Sequence, residues 1–216
     1  MSPPPRARRP ASPRKPPRQQ RSRETVRAIL EAAARIFEER GVEEATTDRI
    51  AEHAGVSIGS LYQYFPGKEA ILATLARCHL LAGWEALAPA LAALDAAPPP
   101  AAALPPLVRA LVSFHEGRAR LHRTLFVEGA LDPELVRVLA AARAEACARI
   151  VRWLAARPEI DVPDPALSAR LLFDAALALV HGFALDPSAG GTPADREREI
   201  VRLLTGYHSP APSAAR

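Results

Sequence analysis

The chain of 216 residues contains few cysteines and no long apolar run. Its two cysteines, Cys78 and Cys147, lack the spacing of metal ligands, which favours reduced thiols in a cytoplasmic protein. No stretch of about 18 apolar residues is free of a charge or a proline, which argues against a membrane span. No apolar segment follows the basic N-terminus, so no signal peptide is expected. We therefore expect a soluble intracellular protein.

The sequence also lacks the short motifs of common enzyme active sites. It contains no G-x-S-x-G, no H-E-x-x-H, no P-loop and no C-x-x-C. The histidines are scattered, and none accompanies a nucleophile at a strained turn. We therefore expect neither an enzyme nor a bound cofactor or metal.

Apolar residues recur with helical spacing, and no segment sustains the period-two alternation of a strand. The predicted fold is all-α, with a small N-terminal three-helix unit and a larger helical remainder. We divide the chain into four parts: a basic arm (1–23), the three-helix unit (24–67), the larger helical part (68–206) and a disordered tail (207–216).

The positive net charge of +4 comes from the N-terminal arm. The arm is rich in proline, has no acidic residue and carries eight basic residues: Arg6, Arg8, Arg9, Arg14, Lys15, Arg18, Arg21 and Arg23. The remaining residues hold 20 basic and 24 acidic side chains, a net charge of −4. Such an arm is predicted to be disordered and to attract nucleic acid. The alternative is a solubilising tail without a specific partner.

Residues 24–65 have the pattern of three helices. An amphipathic stripe predicts a first helix that ends at Gly41, formed by Val26, Ile29, Leu30, Ala33, Ile36 and Phe37. Thr46 and Thr47 open a second helix, with Thr47 as its cap. Gly55 permits a tight turn, and Ser57 caps a third helix. Two short helices joined by a glycine turn form a helix-turn-helix.

The outward face of the third helix indicates a partner. Ile58, Gly59, Tyr62 and Gln63 share this face, Ser60 and Tyr64 flank it, and none of them is charged. A glycine inside a helix costs up to about 1 kcal/mol relative to alanine, so a close approach of a partner would explain Gly59. DNA read in the major groove by a recognition helix fits this pattern. The caps Ser57 and Thr47 suit phosphates, as does Lys68 at the start of the next helix.

The segment of residues 29–72, with its core GVSIGSLYQYFPGKEAIL, resembles the TetR family of bacterial transcriptional regulators. The resemblance implies that residues 24–67 form a helix-turn-helix DNA-binding domain and residues 68–206 a larger helical ligand-binding and dimerisation domain. It also implies a homodimer that binds a palindromic operator and is released by a small molecule. By position it implies phosphate contacts at Thr46, Thr47, Tyr64 and Lys68. It implies base-edge or groove contacts at Ile58, Gly59, Ser60 and Tyr62, with Arg49 as a helper. Asp48 departs from the family pattern, because many relatives have an uncharged or basic residue there.

Prolines and capping residues predict the helix boundaries in the rest of the chain. We expect a long helix over 68–88 that is interrupted or ended at Pro89, and a loop over 95–106. A helix over 107–129 should break near Gly117. Further helices should start at Asp132-Pro133, Asp164-Pro165 and Thr192-Pro193 and run to about Arg157, Leu185 and Thr205.

The apolar C-terminal helices suggest a cavity for a largely apolar effector. We predict that it is lined by Phe114, Leu121, Leu125, Phe126, Trp153 and Phe173, with Glu128 as the orienting polar group. Helices 165–185 and 193–205 are apolar enough to pair with a second subunit. The alternative for both sets is ordinary core. A packed interior would instead favour a regulator that binds DNA without a ligand, and the sequence does not separate a repressor from an activator.

Overall fold

The computed structural model describes residues 20–128 and 133–206, apart from Gly117, Asp161, Pro187 and Ala189 and the side chains of Val127 and Glu128. Within these residues the structure contains helices and turns and no strand, so the predicted all-α fold is confirmed. The α-helices are α1 (Gln20–Arg40), α2 (Thr47–His53), α3 (Ile58–Tyr64), α4 (Lys68–Ala93), α5 (Pro100–His115), α6 (Ala119–Arg123), α7 (Pro133–Ala155), α8 (Pro165–Leu185) and α9 (Pro193–Gly206). A 3₁₀ turn (Leu94–Ala96) follows α4, and a π-helical turn (Thr124–Glu128) follows α6.

Helix α1 begins at Gln20, four residues before the predicted start at Glu24. Arg21 and Arg23 therefore belong to its exposed first turn and not to the arm. Of the predicted apolar stripe, Ile29, Ala33, Ile36 and Phe37 are buried and Val26 and Leu30 are half-buried. The helix ends where Gly41 adopts a φ of 76° and donates its N–H to the Phe37 carbonyl. A glycine in this conformation is the expected helix terminator.

Two predictions based on proline were wrong. Helix α4 continues through Pro89 to Ala93, and the predicted loop over 95–106 contains the first turns of α5, including Pro105 and Pro106. Each proline removes one backbone donor from its helix. The buried side chains of neighbouring residues, among them Leu87, Leu91, Ala103 and Leu104, hold both helices in the core. Tertiary packing therefore outweighs the local preference.

The predicted starts of α8 and α9 are confirmed by their capping contacts. Asp164 Oδ1 accepts the N–H groups of Ala166 and Leu167 at 2.9 and 3.0 Å. Thr192 and Asp195 exchange hydrogen bonds between side chain and backbone, a reciprocal capping arrangement. The helix break that was predicted near Gly117 is also confirmed: α5 ends at His115 and α6 begins at Ala119.

The chain forms two compact units. The first consists of residues 20–79 and 121–138, and the second of residues 80–120 and 139–206. In the first unit α2 packs on α1 and α3. In the second unit α5 packs against α8 and α9 around a core that includes Val108, Ala146, Trp153 and Leu172. The Trp153 indole donates a 2.7 Å hydrogen bond to the Pro98 carbonyl, which fixes the turn before α5.

Two helical segments, Lys68–Ala96 and Pro165–Leu185, meet the length and hydropathy criteria for a bilayer crossing. Core helices of soluble proteins meet the same criteria, so this is weak evidence. Both segments include charged residues, such as Arg77 and Glu85 in the first and Arg170 and Asp174 in the second. The expectation of no membrane span stays a prediction.

Candidate nucleic-acid interface

The N-terminus of α2 is capped by Thr46. Thr46 has an extended backbone, and its hydroxyl accepts the N–H of Arg49 at 3.3 Å. Thr47, which the sequence predicted as the cap, is the first helical residue. Its hydroxyl oxygen instead lies 3.1 Å from the hydroxyl oxygen of Tyr62 on α3. The contact ties the start of α2 to the predicted recognition helix.

The turn between α2 and α3 has the backbone that the sequence predicted. Gly55 adopts a φ of 66°, a left-handed conformation that favours glycine. The Val56 N–H then reaches back to the Ala51 carbonyl at 3.0 Å. Ile50, Leu61 and Phe65 are fully buried and hold the two short helices against the first unit's core. The arrangement is a helix-turn-helix.

Ser57 caps α3. Its side chain accepts the N–H of Ser60 at 3.1 Å, and the two serine hydroxyl oxygens lie 2.9 Å apart. The Ser60 hydroxyl is therefore already within hydrogen-bond distance of Ser57. To donate its proton to a DNA group instead, the hydroxyl has to rotate away from Ser57.

The outer face of α3 is exposed and uncharged. Ile58 is 37% exposed and Tyr62 is 42% exposed, which is unusual for large apolar or aromatic side chains. Gly59 and Gln63 are exposed beside them, while Tyr64 is half-buried. A Cβ atom added at Gly59 would meet only the Ser57 hydroxyl, at 4.0 Å. The fold itself therefore does not require this glycine, and space for a partner lies above it.

The side chains of Lys68 and Arg49, the two cationic residues of the predicted site, contact the segment between α1 and α2. The Lys68 ammonium donates hydrogen bonds to the carbonyl oxygens of Val42 and Glu43, at 2.9 and 3.3 Å. The Arg49 guanidinium donates to the Glu44 carbonyl at 3.3 Å. Both side chains brace this segment in the structure. The phosphate contact of Lys68 and the groove contact of Arg49 stay predictions.

The interface has little positive charge of its own. Residues 24–68 contain five basic and eight acidic residues. The exposed Arg21 and Arg23 in the first turn of α1 add two positive charges next to them. With these two arginines, residues 21–68 hold seven basic and eight acidic side chains.

The residues predicted to line an effector cavity are distributed over both units. Trp153 and Phe173 border an enclosed apolar cavity of about 50 Å³ in the second unit. Phe114, also in the second unit, packs against Gly83. A Cβ atom added at Gly83 would lie 3.0 Å from the Phe114 ring, so the missing side chain allows the two helices to pack closely. Leu121, Leu125 and Phe126 belong to the first unit. The side chain of Glu128 lies outside the described residues.

Phe126 packs with a pair of buried histidines in the first unit. The Phe126 ring stacks on His122 with ring centroids 4.9 Å apart. His79 Nε2 and His122 Nδ1 lie 3.2 Å apart, within hydrogen-bond distance. The pair was not predicted, and its members lie 43 residues apart in the sequence.

An open groove runs between α8 and α9, with a volume of about 860 Å³. Its walls are mostly apolar and include Leu171, Leu179 and Phe183 on α8 and Leu203 on α9. Leu171 and Leu203 are 49% and 61% exposed. These helices are the ones that the sequence predicted as a dimerisation surface.

Comparison with known families agrees with the geometry of α2 and α3. The profile of bacterial regulatory proteins of the tetR family matches residues 29–75, and the profile of the tetracyclin repressor-like C-terminal domain matches residues 99–207. The chain belongs to the TetR family. This membership makes residues 47–64 the helix-turn-helix of a transcriptional regulator.

Similar regulators share the TetR-family N-terminal segment. The chain is 43% identical over 51 residues to the HTH-type transcriptional regulator TtgW of Pseudomonas putida. It is 45% identical over 49 residues to SrpR of the same species and 44% identical over 48 residues to EthR of Mycobacterium tuberculosis. These segments span 22–24% of this chain. They span 38%, 23% and 22% of TtgW, SrpR and EthR.

Solved TetR-family structures share the whole fold. A regulator from Mesorhizobium loti superimposes with a TM-score of 0.69 at 22% identity, over 88% of this chain and 97% of that one. NalD of Pseudomonas aeruginosa superimposes with a TM-score of 0.67 at 22% identity, over 88% and 98%. At this identity the likeness concerns the fold.

Proposed function

We propose that this TetR-family protein is a repressor that binds a palindromic operator as a homodimer and leaves it when a small molecule binds. The observation that carries the proposal is the uncharged, exposed face of α3, with the bare backbone of Gly59 at its centre. Bases in the major groove offer hydrogen-bonding edges and thymine methyl groups, which such a face can contact. An ordinary solvated helix face would carry charged side chains instead.

Each predicted contact has a role in this proposal. Ile58, Gly59, Ser60, Tyr62 and Gln63 face the base edges. Arg49 assists these groove contacts. Thr46, Thr47, Ser57, Tyr64 and Lys68 contact phosphates. The exposed N-termini of α2 and α3 present backbone N–H groups, which favours bound phosphate oxygens.

The groove between α8 and α9 supports the homodimer. An exposed apolar surface with side chains such as Leu167, Leu171 and Leu203 is unfavourable in water and is typical of a protein interface. A second copy would cover it with the same two helices, which gives the two-fold symmetry of a palindromic site.

Release by an effector requires coupling between the C-terminal helices and the recognition helices. Helix α4 is continuous from Lys68 to Ala93, with its beginning in the first unit and its remainder in the second. We propose that it carries the change that separates α3 from its half-site. NalD is described as a repressor of a multidrug efflux pump, so repression occurs on this fold.

A regulator that needs no ligand is the second candidate. The apolar cavity beside Trp153 and Phe173 has about 50 Å³, well below the roughly 300 Å³ of a small drug-sized site. A ligand there would have to displace core side chains, so an effector bound at Trp153 and Phe173 is disfavoured.

Selection of bound DNA from a random pool with the purified protein tests the proposal. We expect a palindrome whose half-sites lie about one DNA turn apart. Enrichment of a single unrepeated site would contradict the dimeric mode, and absence of any enriched sequence would contradict specific DNA recognition.

A further inference from the structure

A second cavity in the second unit, partly open to solvent, differs in chemistry from the apolar one. It has a volume of about 160 Å³ and lies where the end of α5, the start of α6, the end of α8 and the start of α9 converge. Val112, Val180, Phe183 and Ile200 give it an apolar wall, while His115, Glu116 and Arg196 give it polar groups.

Arg196 brings a positive charge to this cavity. Its Nε donates a 3.0 Å hydrogen bond to the Gly190 carbonyl, and its guanidinium lies over the Phe183 ring at 5.6 Å. Its helix neighbours Arg198 and Arg202 pair with Asp195 and Glu199. Among the described residues Arg196 has no such carboxylate partner. A guanidinium held by a carbonyl and a ring retains N–H donors for a ligand.

The imidazoles beside the cavity add no positive charge at neutral pH. Burial lowers the pKa of His115, although its Nδ1 lies 2.8 Å from the Leu111 carbonyl oxygen. Burial and then the neighbouring His115 lower the pKa of His181 to about 4. The rings of His115 and His181 meet edge to face with centroids 4.7 Å apart. The positive charge at the cavity therefore comes from Arg196.

We propose that this cavity binds a small organic monocarboxylate, with the carboxylate on Arg196 and a short hydrocarbon body against Val180, Phe183 and Ile200. A guanidinium matches a carboxylate with paired hydrogen bonds. The cavity exceeds the roughly 10–15 Å³ that one water needs but is smaller than a drug-sized pocket, so the ligand is small.

Glu116 limits the charge of this ligand. Its carboxylate borders the same cavity and repels a second negative charge, which disfavours a phosphate monoester or a dicarboxylate. The site thus selects one negative charge joined to an apolar body.

The position of the cavity suggests how its ligand would act, and this step rests on the proposed function. Phe183 and Ile200 border both this cavity and the groove between α8 and α9. A ligand that displaces these two side chains would change the surface on which a second copy packs. The monocarboxylate would then be the effector.

Calorimetric titration of the full chain tests the site with a defined series: acetate, butanoate, hexanoate, octanoate and benzoate, with hexanamide and benzamide as uncharged controls. We expect saturable binding of the carboxylates that is strongest for a member with a hydrocarbon body, and much weaker binding of the amides. Lack of binding by the whole series overturns the proposal, as does equal binding of acids and amides.

Variants locate the binding. Arg196→Gln should weaken the binding of the best carboxylate by about tenfold or more, since a hydrogen bond to a charged group is lost. Glu116→Gln should strengthen it, because a like charge is removed, and Arg198→Gln on the same helix should leave it unchanged. If Arg198→Gln weakens binding as much as Arg196→Gln does, the proposed location is wrong. Thermal unfolding checks that each variant folds.

Measurement of operator binding distinguishes the existence of the carboxylate site from its proposed role as the effector site. The carboxylate that binds best should release the wild-type protein from the operator obtained by selection. Release of Arg196→Gln should need a carboxylate concentration higher by the factor by which this substitution weakens carboxylate binding. Binding without release would overturn the effector role and leave the site. Specific DNA binding with no carboxylate bound would overturn the site and leave the DNA-binding part of the proposed function.

Discussion

The Lys68 ammonium, at the first residue of α4, donates a 2.9 Å hydrogen bond to the Val42 carbonyl, which lies between α1 and α2. A second bond of 3.3 Å reaches the Glu43 carbonyl. One side chain thus braces the helix-turn-helix from the start of α4. Its third N–H group leaves room for a phosphate as well.

Replacement of Lys68 by methionine should have two separate effects. Loss of the carbonyl contacts should lower the free energy of unfolding by roughly 1 kcal/mol, measured with urea. Because the proposed homodimer carries two Lys68 side chains, loss of one phosphate contact per subunit should reduce the slope of log K against log[salt] by about 1.8. Arg35→Met, an exposed change on α1, is the control. Reduced stability with an unchanged slope would show that Lys68 braces the domain and contacts no phosphate.

Tyr62 should carry sequence recognition and little of the nonspecific affinity. Tyr62→Ala removes an aromatic ring from the exposed face of α3, so affinity for the selected operator should fall while nonspecific, salt-dependent binding remains. Tyr62→Phe keeps the ring and removes only the hydroxyl that contacts Thr47. The operator affinity of Tyr62→Phe should lie between those of the wild type and Tyr62→Ala. A parallel fall of specific and nonspecific affinity, measured by fluorescence anisotropy, would contradict this division.

The N-terminal arm should supply much of the electrostatic affinity. Residues 1–19 carry six of the basic residues, whereas residues 24–68 are net acidic. Deletion of residues 1–19, which leaves α1 complete, should weaken DNA binding and flatten its salt dependence by about 0.9 per lost phosphate contact. A full-length chain with the six basic residues changed to glutamine is the matched control for length. An unchanged slope would rule out an arm that contacts DNA.

The exposed leucines of α8 and α9 should be required for the dimer. Leu203→Glu places a charge in the apolar groove, so sedimentation should show a monomer and operator affinity should fall with it. Leu81→Glu changes a leucine that is 46% exposed on α4 and is the control for an added surface charge. If Leu203→Glu is still a dimer, the dimer interface lies on another surface of the protein.

Acid should destabilise the second unit through its buried histidines. The folded-state pKa of His181 is about 4, below the unfolded value of about 6.5, so the unfolded chain binds more protons between these values. Stability is therefore full above about pH 6.5 and decreases as the pH falls toward 4. Thermal melts across this range should show a smaller decrease for His181→Phe than for wild type. His53→Phe, at an exposed site in the first unit, should behave as wild type.

The sequence predicted the helix-turn-helix well because its determinants are local. Gly55 adopts the left-handed turn, Ser57 caps α3, and Leu61 and Phe65 are buried, all as expected. The cap of α2 was misplaced by one residue, because Thr46 and Thr47 both suit an N-terminus and only tertiary contacts distinguish them. Tyr62 engages Thr47 from 15 residues away.

Which residues line a cavity depends on how helices pack, so the predicted cavity lining stays a prediction. Phe114 resembles a lining residue in the sequence, yet it fills the space left by the missing side chain of Gly83, 31 residues earlier. Arg196 looks like one more charged residue of an exposed helix. Its position between Gly190 and Phe183 is set by the fold.

The prolines inside α4 and α5 constrain what can cover these helices. Pro89, Pro105 and Pro106 lack the N–H groups that would bond to the carbonyl oxygens of Glu85, Ala101 and Ala102. Glu85, Ala101 and Ala102 are exposed, so water can reach these acceptors. A dry interface over them would leave those oxygens unsatisfied, at roughly 1–3 kcal/mol each. These stretches of α4 and α5 are thereby kept as permanently hydrated surface, which restricts tight packing with any second protein to the other faces of the second unit.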